Sequence, residues 1–447
     1  MNNEYDILIA GGLLLTLSKN MDILEEPLIG IRDGRITLIE SQKKTNLNRY
    51  CAKEKLYAAD CLIMPGLINT HTHLPMVCFR GMADDLPLAE WLQEHIWPAE
   101  AKYVKREMVY AGSMLAMAEM IMSGTTTFCD AYFFESSVAE AAIASGMRGI
   151  VCQGFIDLPQ KNESSNITAV AKRFIEKWQT KNLLLTPALA CHAPYTCSPD
   201  TLSCVKEVAR EANVPFTIHV SETKEEVFIL KERYGKPPVA HLRDIGILDP
   251  KTVAVHCNWI DDEEIDIFRS FDVKVSHNPE SSLKLAAGIA PIPKLMKSGL
   301  VIGLGTDGTA SNNNLDLFGE MDFAAKIHKV SEMDPTVMDA KTVLKMATID
   351  AARVLGLEEQ TGSIEIGKCA DIILVNMTDP HWIPLFNPYS QLVYAARGSD
   401  VVSSIIGGRI VMRDRRLLTM DLAQIANEVR NIAARIIKEK PSQSSGL

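Results

Sequence analysis

Between residues 61 and 355 the chain alternates short apolar runs with amphipathic stretches, and it does so eight times. The apolar runs fall at 61–68, 125–130, 149–155, 183–191, 216–220, 252–256, 273–276 and 300–306. Helix-like segments lie between them, among them 106–122, 200–212 and 262–271. Runs this short, separated by helical periodicity, call for parallel strands with crossover helices, and eight such units fit a closed (β/α)8 TIM-type barrel better than an open sheet. Both ends of the chain have a different texture. Strand runs at 6–10, 13–17, 29–32 and 35–40, the last pair joined by Asp33-Gly34, match others at 370–375, 401–406 and 409–412 around Gly407-Gly408. The expected organisation is therefore an α/β chain in which residues 1–60 and 361–447 build a small β-sandwich around a catalytic barrel of residues 61–360. A helix over 421–440 and a Ser-rich tail, expected to be disordered, end the sequence.

Bulk properties exclude several classes. A net charge of −10 argues against a nucleic-acid partner, which would call for clustered Lys and Arg. The ten cysteines include no CxxC pair and read as reduced, mostly buried thiols rather than a disulfide framework. The apolar run at 7–17 is broken by Gly11-Gly12 and is not a signal peptide, and no stretch reaches the ~20 apolar residues of a membrane span. A cytoplasmic protein without membrane contact is expected. A homo-oligomer is left open.

The polar residues at the ends of the apolar runs carry the chemistry. His71 and His73 follow the first, His192 the fourth, His219 lies in the fifth, His256 closes the sixth, His277 follows the seventh and Asp307 the eighth. In a barrel these strand ends converge on one rim, where active sites lie. His71-Thr72-His73 places two imidazoles on one face of a strand, and His219 and Asp307 complete a donor set suited to Zn²⁺ or a similar first-row cation. Residues 183–191 hold no lysine that could bridge a metal pair, so one divalent ion is expected. Such an ion makes a hydrolytic water available at neutral pH, and Asp307 stands ready to take its proton. Glu222, three residues after His219, can supply a proton if the chain turns sharply there. In an aminopurine the attacked carbon is electrophilic only once the adjacent ring nitrogen is protonated. Glu222 also fits a solvated helix N-terminus, and His256, a candidate partner of the attacking water, also fits a satisfied core histidine. Gly303-Leu-Gly-Thr-Asp-Gly308 matches GxGxxG but lies in the eighth unit with Asp307 inside it, so it reads as close backbone approach rather than a dinucleotide loop. The HxE and PCxxC motifs of another zinc-deaminase architecture are absent.

Several stretches together resemble a known family. They are Met64-Pro-Gly-Leu-Ile-Asn-Thr-His-Thr-His73, Arg80-Gly-Met-Ala-Asp-Asp-Leu-Pro-Leu88, His192-Ala-Pro-Tyr-Thr196 and His219-Val-Ser-Glu222, then Ala254-Val-His-Cys257, Ser276-His-Asn-Pro279, residues 303–314 and Gly362-Ser-Ile-Glu-Ile-Gly-Lys-Cys-Ala-Asp371. In this order, over nearly the whole chain, the sequence resembles the amidohydrolase superfamily and within it the 5-methylthioadenosine/S-adenosylhomocysteine deaminases. The resemblance implies a metal at His71, His73, His219 and Asp307, with Glu222, His256 and Asp307 in catalysis. It also implies substrate contacts from Glu100, to the ribose hydroxyls, and from His192, besides Glu222 and Asp307. The implied substrate is an adenosine-type nucleoside, converted to its inosine analogue and ammonia. A free base such as guanine, or a triazine, is the rival substrate class, and an inactive scaffold the rival of another kind. One departure concerns the 5′ end. Where some members carry arginines after the third strand this chain has Gln153, and no arginine lies between Arg148 and Arg173, leaving Lys161 or another subunit to meet a substrate carboxylate.

Overall fold

The computed structural model describes residues 4–41, 50–157 and 167–439. Lys161 and the tail at 441–447 lie outside the described residues. Eight parallel strands form one sheet in simple sequence order. They are β1 (Leu67–Thr72), β2 (Thr125–Tyr132), β3 (Arg148–Phe155), β4 (Leu185–Cys191), β5 (Phe216–Val220), β6 (Thr252–His256), β7 (Lys274–His277) and β8 (Ile302–Leu304). Every residue of β1, β5 and β6 is buried, as expected of strands covered on both faces, and this is why they read as unbroken apolar runs. The sheet closes where β8 meets β1. Thr72 bridges Asp307, and the amides of Thr306 and Asp307 donate to the His71 carbonyl at 3.1 and 3.0 Å. Gly305 makes that approach possible, since a Cβ there would lie 2.8 Å from the His71 nitrogen and 2.3 Å from Asn278 Oδ1. The (β/α)8 expectation therefore holds.

Two further sheets come from the chain ends. One runs in the order 35–41, 27–32, 4–10, 51–57, and the other 416–417, 409–413, 401–406, 372–376, 61–65, 13–15, 23–25. Ile7, Ile29, Leu56, Ile63, Ile372 and Ile405 pack into one apolar cluster between them. The run read as a single strand at 61–68 is two strands. Cys61–Pro65 pairs with 372–376 and 13–14 in the terminal sheet, and only after Gly66 does the chain enter the barrel. Pro65 offers no N–H, and a side chain at Gly66 would collide with Thr126 at 2.1 Å, so the chain changes sheets at this pair. The first barrel strand consequently starts later than expected and contains His71 itself.

Helix Arg106–Met122 forms over the predicted span, and Leu422–Glu439 covers nearly all of the terminal one. The segment between β1 and Arg106 had no predicted elements. It contains a 3-10 stretch, Leu74–Phe79, then π-helical turns at Trp91–Ile96 leading into a helix at Trp97–Tyr103 that carries Glu100. No helix among the described residues is long and apolar enough to cross a membrane.

A buried ion pair ties the terminal sheet that holds 372–376 to the start of β3. Arg148, first residue of β3, donates from Nε and Nη2 to the two oxygens of Asp371 at 2.7 and 3.2 Å, and the Gly407 amide adds a third bond at 2.6 Å. Both side chains are almost fully buried. Asp371→Ala would leave a guanidinium without its counter-charge, so a loss of about 3–5 kcal/mol is expected. The urea unfolding midpoint measures it, and an unchanged midpoint would contradict the assignment.

Candidate metal centre and active site

Five of the six rim histidines gather at the mouth of the barrel. Ring centroids of His71 lie 4.7 Å from His73 and 4.9 Å from His219, while His219 lies 5.1 Å from His192 and 5.4 Å from His256. The sixth, His277, does not join them. It is buried with its Nε2 2.9 Å from Nε2 of His328, a partner on helix Leu317–Ser331 with no counterpart in the motif pattern. A strand end allows either face, and His277 takes the outer one.

The hydrogen bonds of the inner histidines fix which nitrogen is free. His73 Nδ1 lies 2.6 Å from the Ala131 carbonyl and His219 Nδ1 2.6 Å from the His192 carbonyl. A carbonyl only accepts, so both Nδ1 atoms carry the proton and both Nε2 atoms present a lone pair. Those lone pairs converge. His219 Nε2 lies 3.2 Å from His71 Nε2, and Asp307 Oδ1 lies 3.5 and 3.3 Å from Nε2 of His71 and His73. Ligand atoms ~2.0–2.1 Å from a shared tetrahedral ion would stand about 3.3 Å apart. Lone pairs and a carboxylate collected so closely repel one another unless a cation lies among them, so the donor set fits a divalent metal.

Burial keeps these imidazoles in the ligand form. It pushes His71 and His192 down to about 4, and it also holds His219 well below the ordinary imidazole range, with neighbouring His71 adding to the effect. Burial alone would raise the Asp307 carboxyl, but the imidazoles around it, His71 first, outweigh that and hold it well below the ordinary carboxylate range. The other Asp307 oxygen, Oδ2, accepts from Ser281 Oγ at 2.6 Å and Ser311 Oγ at 3.1 Å. Neither serine was singled out in the sequence. Ser281 lies 26 residues from Asp307 in the chain, and Ser311, only four away, sits in a turn where no periodic pattern marks the pairing.

Glu222 stands opposite, 3.8 Å from His256 Nε2, with its side chain 16% exposed on the open face of the cluster. Burial, then the charge of Asp307, pushes its carboxyl up to about 8. The chain does turn sharply after β5, with Ser221 at φ 51°. His192 Nδ1 meets Thr196 Oγ1 at 2.8 Å, and that hydroxyl donates onward to the Ala193 carbonyl at 3.2 Å. Glu100 enters from the side. Its Oε1 accepts from Tyr132 at 2.5 Å, and Tyr132 lies 6.1 Å from His73, ring to ring. Trp97 of the same helix packs 6.5 Å from His192. Burial pushes Glu100 up to about 7. Tyr132, like Ser281 and Ser311, was not singled out in the sequence. Gln153 ends near the same rim, its amide donating to the Gly154 carbonyl at 3.2 Å.

A TIM-type barrel with three imidazoles and a carboxylate converging at its C-terminal mouth defines a class, the barrel hydrolases that work with a divalent cation. Comparison with known proteins narrows it. The amidohydrolase family profile matches residues 62–411. The 5-methylthioadenosine/S-adenosylhomocysteine deaminase of Syntrophobacter fumaroxidans is 48% identical over 97% of this chain and 99% of its own. The 5′-deoxyadenosine deaminase of Methanosarcina mazei is 45% identical over 97% and 98%. Among solved structures, an adenosine deaminase from Xanthomonas campestris with bound zinc superimposes with a TM-score of 0.94 at 36% identity, covering 98% of this chain and all of that one. The chain belongs to the amidohydrolase family.

Removing both serine hydroxyls from Asp307 (Ser281→Ala with Ser311→Ala) should weaken metal affinity roughly 10–100-fold, the usual effect of losing hydrogen bonds that orient a ligand. Titration against a chromogenic chelator measures this. Equal affinity would show that the hydroxyls do not hold the carboxylate.

Proposed function

We propose that the protein hydrolytically deaminates adenosine-type nucleosides, among them 5′-methylthioadenosine, S-adenosylhomocysteine, 5′-deoxyadenosine and adenosine, giving the inosine analogue and ammonia. Its cofactor is one zinc ion per subunit, held by His71, His73, His219 and Asp307. The relatives' named activities support this substrate class. The observation that carries the reading is the placement of two carboxyl groups on one imidazole cluster, Glu222 beside His256 and Asp307 against His71 and His73, with burial shifting the first up and its surroundings shifting the second down. Two carboxyl groups pushed in opposite directions are what an acid–base pair requires.

When bound, the cation lowers the pKa of a water to about 7 and so supplies the nucleophile. Asp307, its Oδ2 anchored by the serines, takes one proton from the water through Oδ1. Glu222 protonates the ring nitrogen next to the amino-bearing carbon, which makes that carbon electrophilic. The C–O bond forms, and Asp307 passes its proton to the amino group. The C–N bond then breaks to release ammonia, and the hydroxyl proton returns to Glu222 as the carbonyl forms. His256 flanks the new oxygen and donates to it. Glu100 receives the ribose hydroxyls, since a carboxylate accepts both donors of a vicinal diol, and His192 borders the sugar.

Ammonia release across adenosine analogues differing only at the 5′ position, with guanine as control, tests the class directly. Turnover of guanine but of no nucleoside would sink it. Glu100→Ala should cripple nucleoside turnover, and unchanged nucleoside kinetics would refute the ribose contact. Glu222→Gln should lower kcat/KM on the order of 10²–10⁴-fold. Because Glu222 must be protonated to act, kcat/KM of the wild type should fall as the pH rises through about 8.

A further inference from the structure

The turn that aims Glu222 is held by a residue with no assigned role. Thr223 caps the helix Lys224–Tyr234, and its hydroxyl accepts from the Glu226 amide at 3.2 Å. A glutamate three residues after a capping threonine ordinarily reaches back to the cap's own amide. Glu226 bypasses that amide. Its Oε1 accepts from the Ser221 amide and its Oε2 from the Glu222 amide, each at 2.9 Å. The carbonyl side of the same turn is also pinned, for the Trp259 amide donates to the Ser221 carbonyl and Asn258 Nδ2 to the Glu222 carbonyl, both at 3.0 Å.

Ser221 needs this support. It is fully buried at φ 51°, a left-handed conformation that a side-chain-bearing residue holds only when its surroundings impose it. Among the described residues its own hydroxyl has no hydrogen-bond partner. Glu226 is 2% exposed, and its two oxygens meet consecutive amides of the turn. If one amide were released, the left-handed residue could relax toward an ordinary conformation and swing the Glu222 side chain off its line to the substrate.

We propose that Glu226 is a positioning residue for Glu222, a two-oxygen clamp on the turn after β5 that keeps the proton donor aimed at the substrate ring. This inference rests on the assignment of Glu222 as the acid. Glu226→Gln keeps the shape of the side chain but can accept at only one oxygen, and its amide would face the second N–H. Proton donation matters in the transition state rather than in binding, so kcat should fall about 10–100-fold while KM stays within about threefold and bound zinc is unchanged.

Adding Ser221→Gly to this variant should restore at least threefold of the lost kcat, because glycine adopts the left-handed turn without needing the clamp. A purely structural role would not produce that rescue. Glu226→Gln with kcat within twofold of wild type overturns the proposal, as does a loss that follows zinc content or is not rescued by glycine. If Glu226→Gln fails to fold, Glu226→Asp, which keeps both oxygens on a shorter arm, decides instead, and an unchanged kcat there overturns the proposal too. Glu222→Gln run alongside separates the two readings. If it leaves turnover intact, the assignment of the acid has failed. If it abolishes turnover while Glu226→Gln does not, only the clamp has failed.

Discussion

The contact between the first and last barrel strands carries the rest of the structure. The amides of Thr306 and Asp307 both donate to the His71 carbonyl, so closing the cylinder and bringing the Asp307 carboxylate against two imidazoles are one event. Asn69 and Thr306 reinforce the seam from within, with Asn69 Nδ2 donating to Thr306 Oγ1 at 2.7 Å and the Thr306 amide donating to Asn69 Oδ1 at 3.1 Å. A barrel that failed to close would separate residues that lie 236 positions apart in the chain, counted from His71 to Asp307. Fold and site therefore share their most vulnerable joint.

The site gathers what a protein interior otherwise keeps apart. Several imidazole lone pairs and two carboxyl groups, one shifted up and one down, face one point, and burial drives each toward its neutral form unless a neighbour opposes it. The backbone is strained at the same places. Ser221, His256, Cys257 and Asp307 all hold positive φ, between 51° and 70°, at the ends of β5, β6 and β8. None of these residues is a glycine, and each such position costs on the order of 1–3 kcal/mol. Rigid parallel strands and the hydrogen bonds behind them, from Ser281, Ser311 and the neighbouring strand carbonyls, hold the arrangement in place.

Much of this was legible in the residues because the relevant signals are local. Continuous apolar runs mark strands covered on both faces, and polar residues at their ends mark the rim, so His71, His73, His219, His256 and Asp307 could be placed together before any contact was known. Glu222 could be read as an acid only on condition of a sharp turn, and the turn exists. Other features had no local signal. Glu100 sits on a helix inserted between β1 and its crossover helix, and its spacing says nothing about what it faces. His277 shares the strand-end position of its neighbours but turns outward to His328. The first strand was misplaced because Cys61–Pro65 and Leu67–Thr72 are both apolar and adjacent, while they belong to different sheets.

The residue pattern alone determined the number of β/α units, the gathering of most strand-end polar residues at one rim, and the kinds of atoms offered to a ligand. Those depend on periodicity and side-chain chemistry, which act over a few residues. Tertiary structure alone decided which nitrogens of His73 and His219 are free, which way burial and neighbours shift each carboxyl, and that Ser281 meets Asp307 and Tyr132 meets Glu100. These depend on distances between chain segments far apart in sequence and on how completely water is excluded, and neither is set until the barrel has closed.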